Sequence, residues 1–219
     1  MAYFGLLFIE IAILFFLSKK ISKELSKFMS INLLSFFFLP GVIIHELSHL
    51  LIAAILLVPV GHMEFSPKKS GDGLKLGSIE IAKTDPIRRS IIGFAPVFAG
   101  IMIVVGIVYF FSINILFFQD KNPYVFLGAI LGVIYLLFAI SNTMFSSSRD
   151  MEGTIETIVT LLIIVLLLYF LGLRLPLSLV LGFLENNIDL VKKSTLFLSV
   201  PIVIDVVILS VLKVFYKRR

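Results

Sequence analysis

"GVIIHELSHLLIAAILLV", residues 41–58, is apolar enough to lie in a lipid bilayer, yet it carries His45, Glu46 and His49 within little more than one helical turn. An acid near the bilayer centre costs about 3 kcal/mol even on the milder insertion scales, so three such groups need a partner that offsets the cost. His45 and His49 are four residues apart, which on a helix puts them on one face with Cβ atoms about 5–6 Å apart. Two imidazoles at that spacing can hold one Zn2+ through their ring nitrogens. Glu46 stands next to the first, where a carboxylate can take the proton of a metal-bound water, as in the H-E-x-x-H pattern of zinc peptidases. The plainer alternative is a polar cluster that knits helices together or lines an ion pathway.

The rest of the chain fits a membrane setting. Of its 219 residues, 59% are hydrophobic and only 15% charged, and the mean hydropathy is +1.09. Soluble domains carry about 25% charged residues. A chain of this length has room for about six spanning helices of roughly 20 residues each. Without cysteine there is no disulfide, thiol nucleophile or Cys-based metal site. The net charge of +5 lies in loops and tail, where it sets topology and meets lipid headgroups rather than nucleic acid. The opening "MAYFGLLFIEIAILFFLSKK" has neither a basic n-region nor a small-residue cleavage site, and reads as a retained first span.

The sequence therefore predicts an all-α polytopic membrane protein, one domain over 1–219. Spans are expected near 3–17, 31–58, 91–112, 124–142, 154–173 and 195–213. The first is followed by "KKISKELSK", an expected interfacial turn, and Pro40-Gly41 marks a kink in the second because proline removes a backbone hydrogen bond. The stretch 174–194 reads as re-entrant or interfacial. Between the second and third spans, "GHMEFSPKKSGDGLKLGSIEIAKTDP" reads as a small β-hairpin at about 62–83, turning at "GDG". Its apolar alternation shifts phase between Leu76 and Ile79, which predicts a bulge near Gly77. With six crossings, an N-terminus inside puts Lys68, Lys69, Lys75, Lys83, Arg88, Arg89, Arg149 and the tail on the cytoplasmic side, but leaves Lys19, Lys20, Lys23 and Lys27 outside, so the positive-inside tendency favours it only slightly.

A catalytic zinc takes three protein ligands and keeps one position open. Candidates for the third are His62, expected in the hairpin, and Asp150 or Glu152 in "SNTMFSSSRDMEG", residues 141–153. Here the chain resembles the site-2 protease family of intramembrane zinc metalloproteases. That family carries H-E-x-x-H on one span and an Asp near a later one, in a motif of the Asn-Pro…Asp-Gly type. "HELSH" matches in full. Asn142 takes the place of the motif's asparagine and Asp150 that of its ligand, while Thr143 replaces the proline and the Asp-Gly pair is opened to Asp150-Met151-Glu152-Gly153, which leaves Glu152 as the alternative. "GFAPVFAG", with Gly93 and Pro96, resembles the family's Gly-Pro element. The similarity covers about 31–155, and the loop at 113–123 is too short for an inserted PDZ domain, which suggests a minimal catalytic core.

The resemblance implies one Zn2+ per chain held by His45, His49 and Asp150, with its water brought toward a pKa of about 7. Glu46 would be the general base, and Asn142 would donate a hydrogen bond to the substrate backbone or oxyanion. The substrate would be a membrane-anchored protein, unwound locally and added as a strand to 74–82. A degenerate partner-binding protein of the same fold, or a metal or ion carrier, is the alternative; neither needs a base beside the first ligand. Glu10 and Asp205 fall within expected spans and read as interhelical polar contacts, or, for Asp205, as part of a gate.

Overall fold

A computed structural model describes residues 2–64, 68–70, 73–75, 77–120, 122–145 and 188–217, with isolated positions between 159 and 182. Helix α1 covers Ala2–Leu25, α2 Ile31–Phe37 and α3 Leu39–Ile55. Strands β1 (Val60–Glu64), β2 (Lys68–Ser70), β3 (Gly73–Lys75) and β4 (Ser78–Ile81) follow. Then come α4 (Pro86–Ile113), α5 (Ile115–Gln119), α6 (Pro123–Thr143) and α7 (Ile188–Lys217).

Three of these helices, α4, α6 and α7 over Ile188–Val214, are long and apolar enough to cross a membrane, or four elements if the pair α2 and α3 counts as one. The chain is a membrane protein. The expected span 154–173 lies largely outside the described residues, so six crossings are not seen among those described. The kink expected at Pro40-Gly41 in the span 31–58 is present as a full break: α2 and α3 meet at 74°. Pro40 is the reason. It occupies the first turn of α3, where its missing N–H costs nothing, so it starts a new helix at Leu39 instead of kinking an old one. Helix α1 also runs on to Leu25, through the segment expected to turn. Lys and Glu are good helix formers, and Lys27 closes the end with a 2.8 Å ion pair to Glu24.

Side-chain contacts fix the directions. Lys192 Nζ lies 5.9 Å from the Tyr3 ring, and Ile21 and Leu25 share a core cluster with Leu209, so α1 and α7 run parallel. The Tyr109 ring lies 6.3 Å from that of Phe197, which puts the end of α4 beside the first half of α7 and makes α4 antiparallel to it. Helix α6 rises beside α7 until Asn142 reaches Asp205. Helix α3 begins at the depth of that pair. The Tyr135 hydroxyl donates to the Phe37 carbonyl at 2.9 Å, and a Cβ on Gly41 would collide with Thr143 Oγ1 and the Ala139 carbonyl. Only glycine lets α3 approach α6 this closely. From there α3 climbs to the start of α4, where Ala53, Val58 and Ile92 form a small core.

The hairpin is present as two antiparallel pairs, β1 with β4 and β2 with β3. The inner register closes at Ser70↔Gly73, and most of the expected "GDG" turn lies outside the described residues. The bulge is not at Gly77. The register slips between Val60 and Met63, on the opposite strand, where three residues of β1 span the two from Ile79 to Ile81.

Candidate functional site

His45, Glu46 and His49 are all buried, each 3–4% exposed. Helix α3 carries them between α4 and α6, and its position is set by the glycine contact one turn below His45. His49 and His45 face each other with Nε2 atoms 3.2 Å apart and rings nearly perpendicular at 79°. Two nitrogens held at about 2.05 Å from a tetrahedral ion stand about 3.3 Å apart. The observed pair fits that spacing.

The protonation of His49 is fixed by its other nitrogen. Nδ1 lies 2.9 Å from the backbone carbonyl of Ile92. A carbonyl only accepts, so Nδ1 carries the hydrogen and the Nε2 lone pair faces His45. This is the usual outer-shell arrangement of a metal-binding histidine. On the other side, Ser48 Oγ donates to the His45 carbonyl at 2.6 Å.

Gly77 lies just before β4 and is itself buried. A Cβ there would sit 2.7 Å from Glu46 Oε1 and 2.9 Å from Val42 Cγ1. The backbone leading into β4 therefore rests on the Glu46 carboxylate, and the absence of a side chain makes room for it. Neither this contact nor the Ile92 carbonyl was visible to sequence reasoning. A lone glycine in a strand pattern marks either a bulge or a close approach, and here it is the second.

The other predicted residues separate. His62 is exposed on β1, whereas the histidine pair is buried on α3. Asp150 and Glu152 lie outside the described residues. Among the described residues no three of His, Cys, Asp and Glu converge as a metal group. Asn142 is buried on α6, and its amide donates to Asp205 Oδ1 at 2.8 Å and to the Phe138 carbonyl at 2.9 Å. Both of its hydrogens are thus engaged inside the protein. Asp205 is fully buried and is the interhelical contact that its place in a span suggested. Glu10, buried on α1, has one carboxylate oxygen without a hydrogen-bond partner among the described residues.

Comparison with protein-family models, curated proteins and solved structures finds no match to this chain.

Proposed function

We propose that the protein is an intramembrane zinc metalloprotease that hydrolyses peptide bonds of membrane-anchored proteins. The observation that carries the proposal is the histidine pair. Its two Nε2 atoms stand at ligand spacing, with one lone pair oriented by the Ile92 carbonyl and a buried carboxylate on the next residue. A structural polar cluster has no need of that combination. His45 and His49 would hold one Zn2+ per chain, with Asp150 as the third ligand and Glu152 its alternative. When bound, the ion supplies Lewis acidity toward a water and the scissile carbonyl.

Glu46 then acts as the base, taking the attacking water's proton and returning it to the leaving amine. Burial among apolar helices strengthens each of these electrostatic contacts. Among the described residues β4 pairs only with β1, so its second edge offers backbone groups to an extended peptide. That edge leads from Gly77, against Glu46, which favours substrate addition alongside it. For Asn142 to serve the substrate, one amide hydrogen would have to leave Phe138 or Asp205.

The helix directions also bear on topology. Six crossings would make the first and last helices antiparallel, whereas α1 and α7 are parallel neighbours. Five crossings, by α4, α6 and α7 together with the spans expected from sequence in α1 and at 154–173, satisfy the directions if α2 and α3 enter and leave on one face. Of the 19 Lys and Arg residues, only Lys121, Arg174, Lys192 and Lys193 then fall on the opposite face. The positive-inside tendency therefore puts the N-terminus outside, in place of the inside orientation expected from six crossings. It puts the hairpin and the start of α4, which pack against the histidine helix, on the cytoplasmic side.

The experiment is zinc per chain in detergent-purified protein, together with cleavage of a reporter membrane substrate. We expect about one zinc in the wild type, its loss in Asp150→Ala, and full zinc with no cleavage in Glu46→Gln. A wild type that binds no zinc, or a Glu46→Gln variant that still cleaves, would overturn the reading.

A further inference from the structure

We propose that Pro96 is a positioning residue for His49, acting through the carbonyl of Ile92. The inference rests on the zinc reading for its consequence, but not for its geometry. In an α-helix each carbonyl accepts from the N–H four residues later. For Ile92 that residue is Pro96, which has no N–H. Helix α4 nevertheless continues through it without a break. The Ile92 carbonyl is therefore released from the ladder at a residue only 1% exposed. A buried carbonyl left unpaired in an apolar interior is costly, and the group that meets it is His49 Nδ1, 2.9 Å away and 43 residues earlier in the chain.

The released carbonyl does two things for the imidazole. It holds the proton on Nδ1, which keeps the lone pair on Nε2, and it fixes the ring plane so that Nε2 faces His45. An alanine at 96 would restore an N–H that competes for the same oxygen. The helix would gain a bond, and His49 would lose its undivided acceptor. Outer-shell partners of ligating histidines are worth about 10–100-fold in metal affinity, so that is the loss expected here. Helix α7 supplies an internal comparison. Pro201 is likewise buried inside a helix and releases the Phe197 carbonyl, but the helices that α7 packs against, α1, α4 and α6, carry no histidine.

The test uses full-length protein in detergent, labelled with 15N-histidine. The chain has only three histidines, so His62→Gln and His45→Gln assign the spectrum. In metal-free wild type we expect His49 as the pure Nδ1–H tautomer. In Pro96→Ala we expect a mixture of tautomers, a Zn2+ dissociation constant raised about 10–100-fold, and a metal-free melting temperature equal to or above the wild type's. Pro201→Ala should change neither tautomer nor affinity. A Pro96→Ala variant with wild-type tautomer and wild-type affinity would overturn the proposal. So would a wild type with the proton on Nε2, a result that needs no variant to fold. If the wild type binds no zinc, the tautomer comparison still decides the role of Pro96, and only the zinc reading falls.

Discussion

Asp205 on α7 accepts a 2.8 Å hydrogen bond from the side-chain amide of Asn142 on α6, and both residues are buried, Asp205 completely. This pair ties the helix that precedes the predicted ligand segment to the last helix of the bundle. Asp205→Ala strands an amide hydrogen away from water, which costs about 1–3 kcal/mol. Asp205→Asn keeps an oxygen to accept the same bond. Thermal melts in detergent should therefore show a clear loss for the alanine variant and a smaller one for asparagine. Equal losses would mean that the carboxylate charge, and not the hydrogen bond, is what the pair supplies.

The contact between Gly77 and Glu46 makes a second prediction. A methyl at 77 would lie 2.7 Å from the carboxylate, so either the approach to β4 or the Glu46 side chain must move. The methyl's nearest contacts are Glu46 and Val42 rather than either histidine. On the proposed peptidase reading, Gly77→Ala should keep zinc binding and lose most of the cleavage activity, at least about 100-fold if misplacement of the base by about 1 Å is the cause. Activity at the wild-type level would show that Glu46 tolerates displacement and would weaken its assignment as base.

How far the chain could be read without coordinates depended on the reach of each signal. The HELSH face was legible because four residues make a helical turn, and the hairpin because alternation and "GDG" are local. A bend near Pro40 was legible from the proline, but neither its size nor its place at Phe38 was, since "SFFFLPGV" is apolar throughout and Pro40 suits a helix start as well as a kink. The partners of the site are remote. Ile92 meets His49 across 43 residues and Asn142 meets Asp205 across 63, distances over which no periodicity carries information. The bulge was assigned to the wrong strand for a related reason. A glycine looks the same from sequence whether it bends its own strand or admits another residue's side chain.

Asp85 gives a prediction about pH at the membrane surface. It caps α4, its Oδ1 accepting from the Arg88 N–H at 3.0 Å, with the Arg88 guanidinium 3.3 Å from Oδ2. The backbone N–H first, and then the Arg88 charge, hold its carboxyl below the usual carboxylate range. A carboxyl depressed in the folded state stabilises the fold above its unfolded pKa of about 4, and that contribution fades as the pH falls toward the lower folded value. Asp85→Ala should therefore melt below the wild type at pH 7, with the gap closing toward pH 3. Because the group is exposed, the effect should be small. A gap that does not change with pH would assign it to the helix cap's geometry alone.

The parallel course of α1 and α7 leads to the sharpest test of topology. Because the chain has no cysteine, single cysteines can be introduced without background. With five crossings and α2–α3 entering and leaving on one face, a cysteine at Gly73 in the hairpin and one at Lys217 share a compartment, while one at Lys121 lies across the membrane from both. In intact cells, a membrane-impermeant maleimide should label Lys121→Cys and leave Gly73→Cys and Lys217→Cys unlabelled until the cells are opened. Six crossings would put the hairpin and Lys217 in the same compartment too, so the deciding site is the N-terminus. A cysteine at Ala2 should label from outside together with Lys121→Cys. If it labels only after lysis, α1 and α7 cannot both cross in the same direction, and α2 and α3 together form a broken span that crosses the membrane rather than a re-entrant pair.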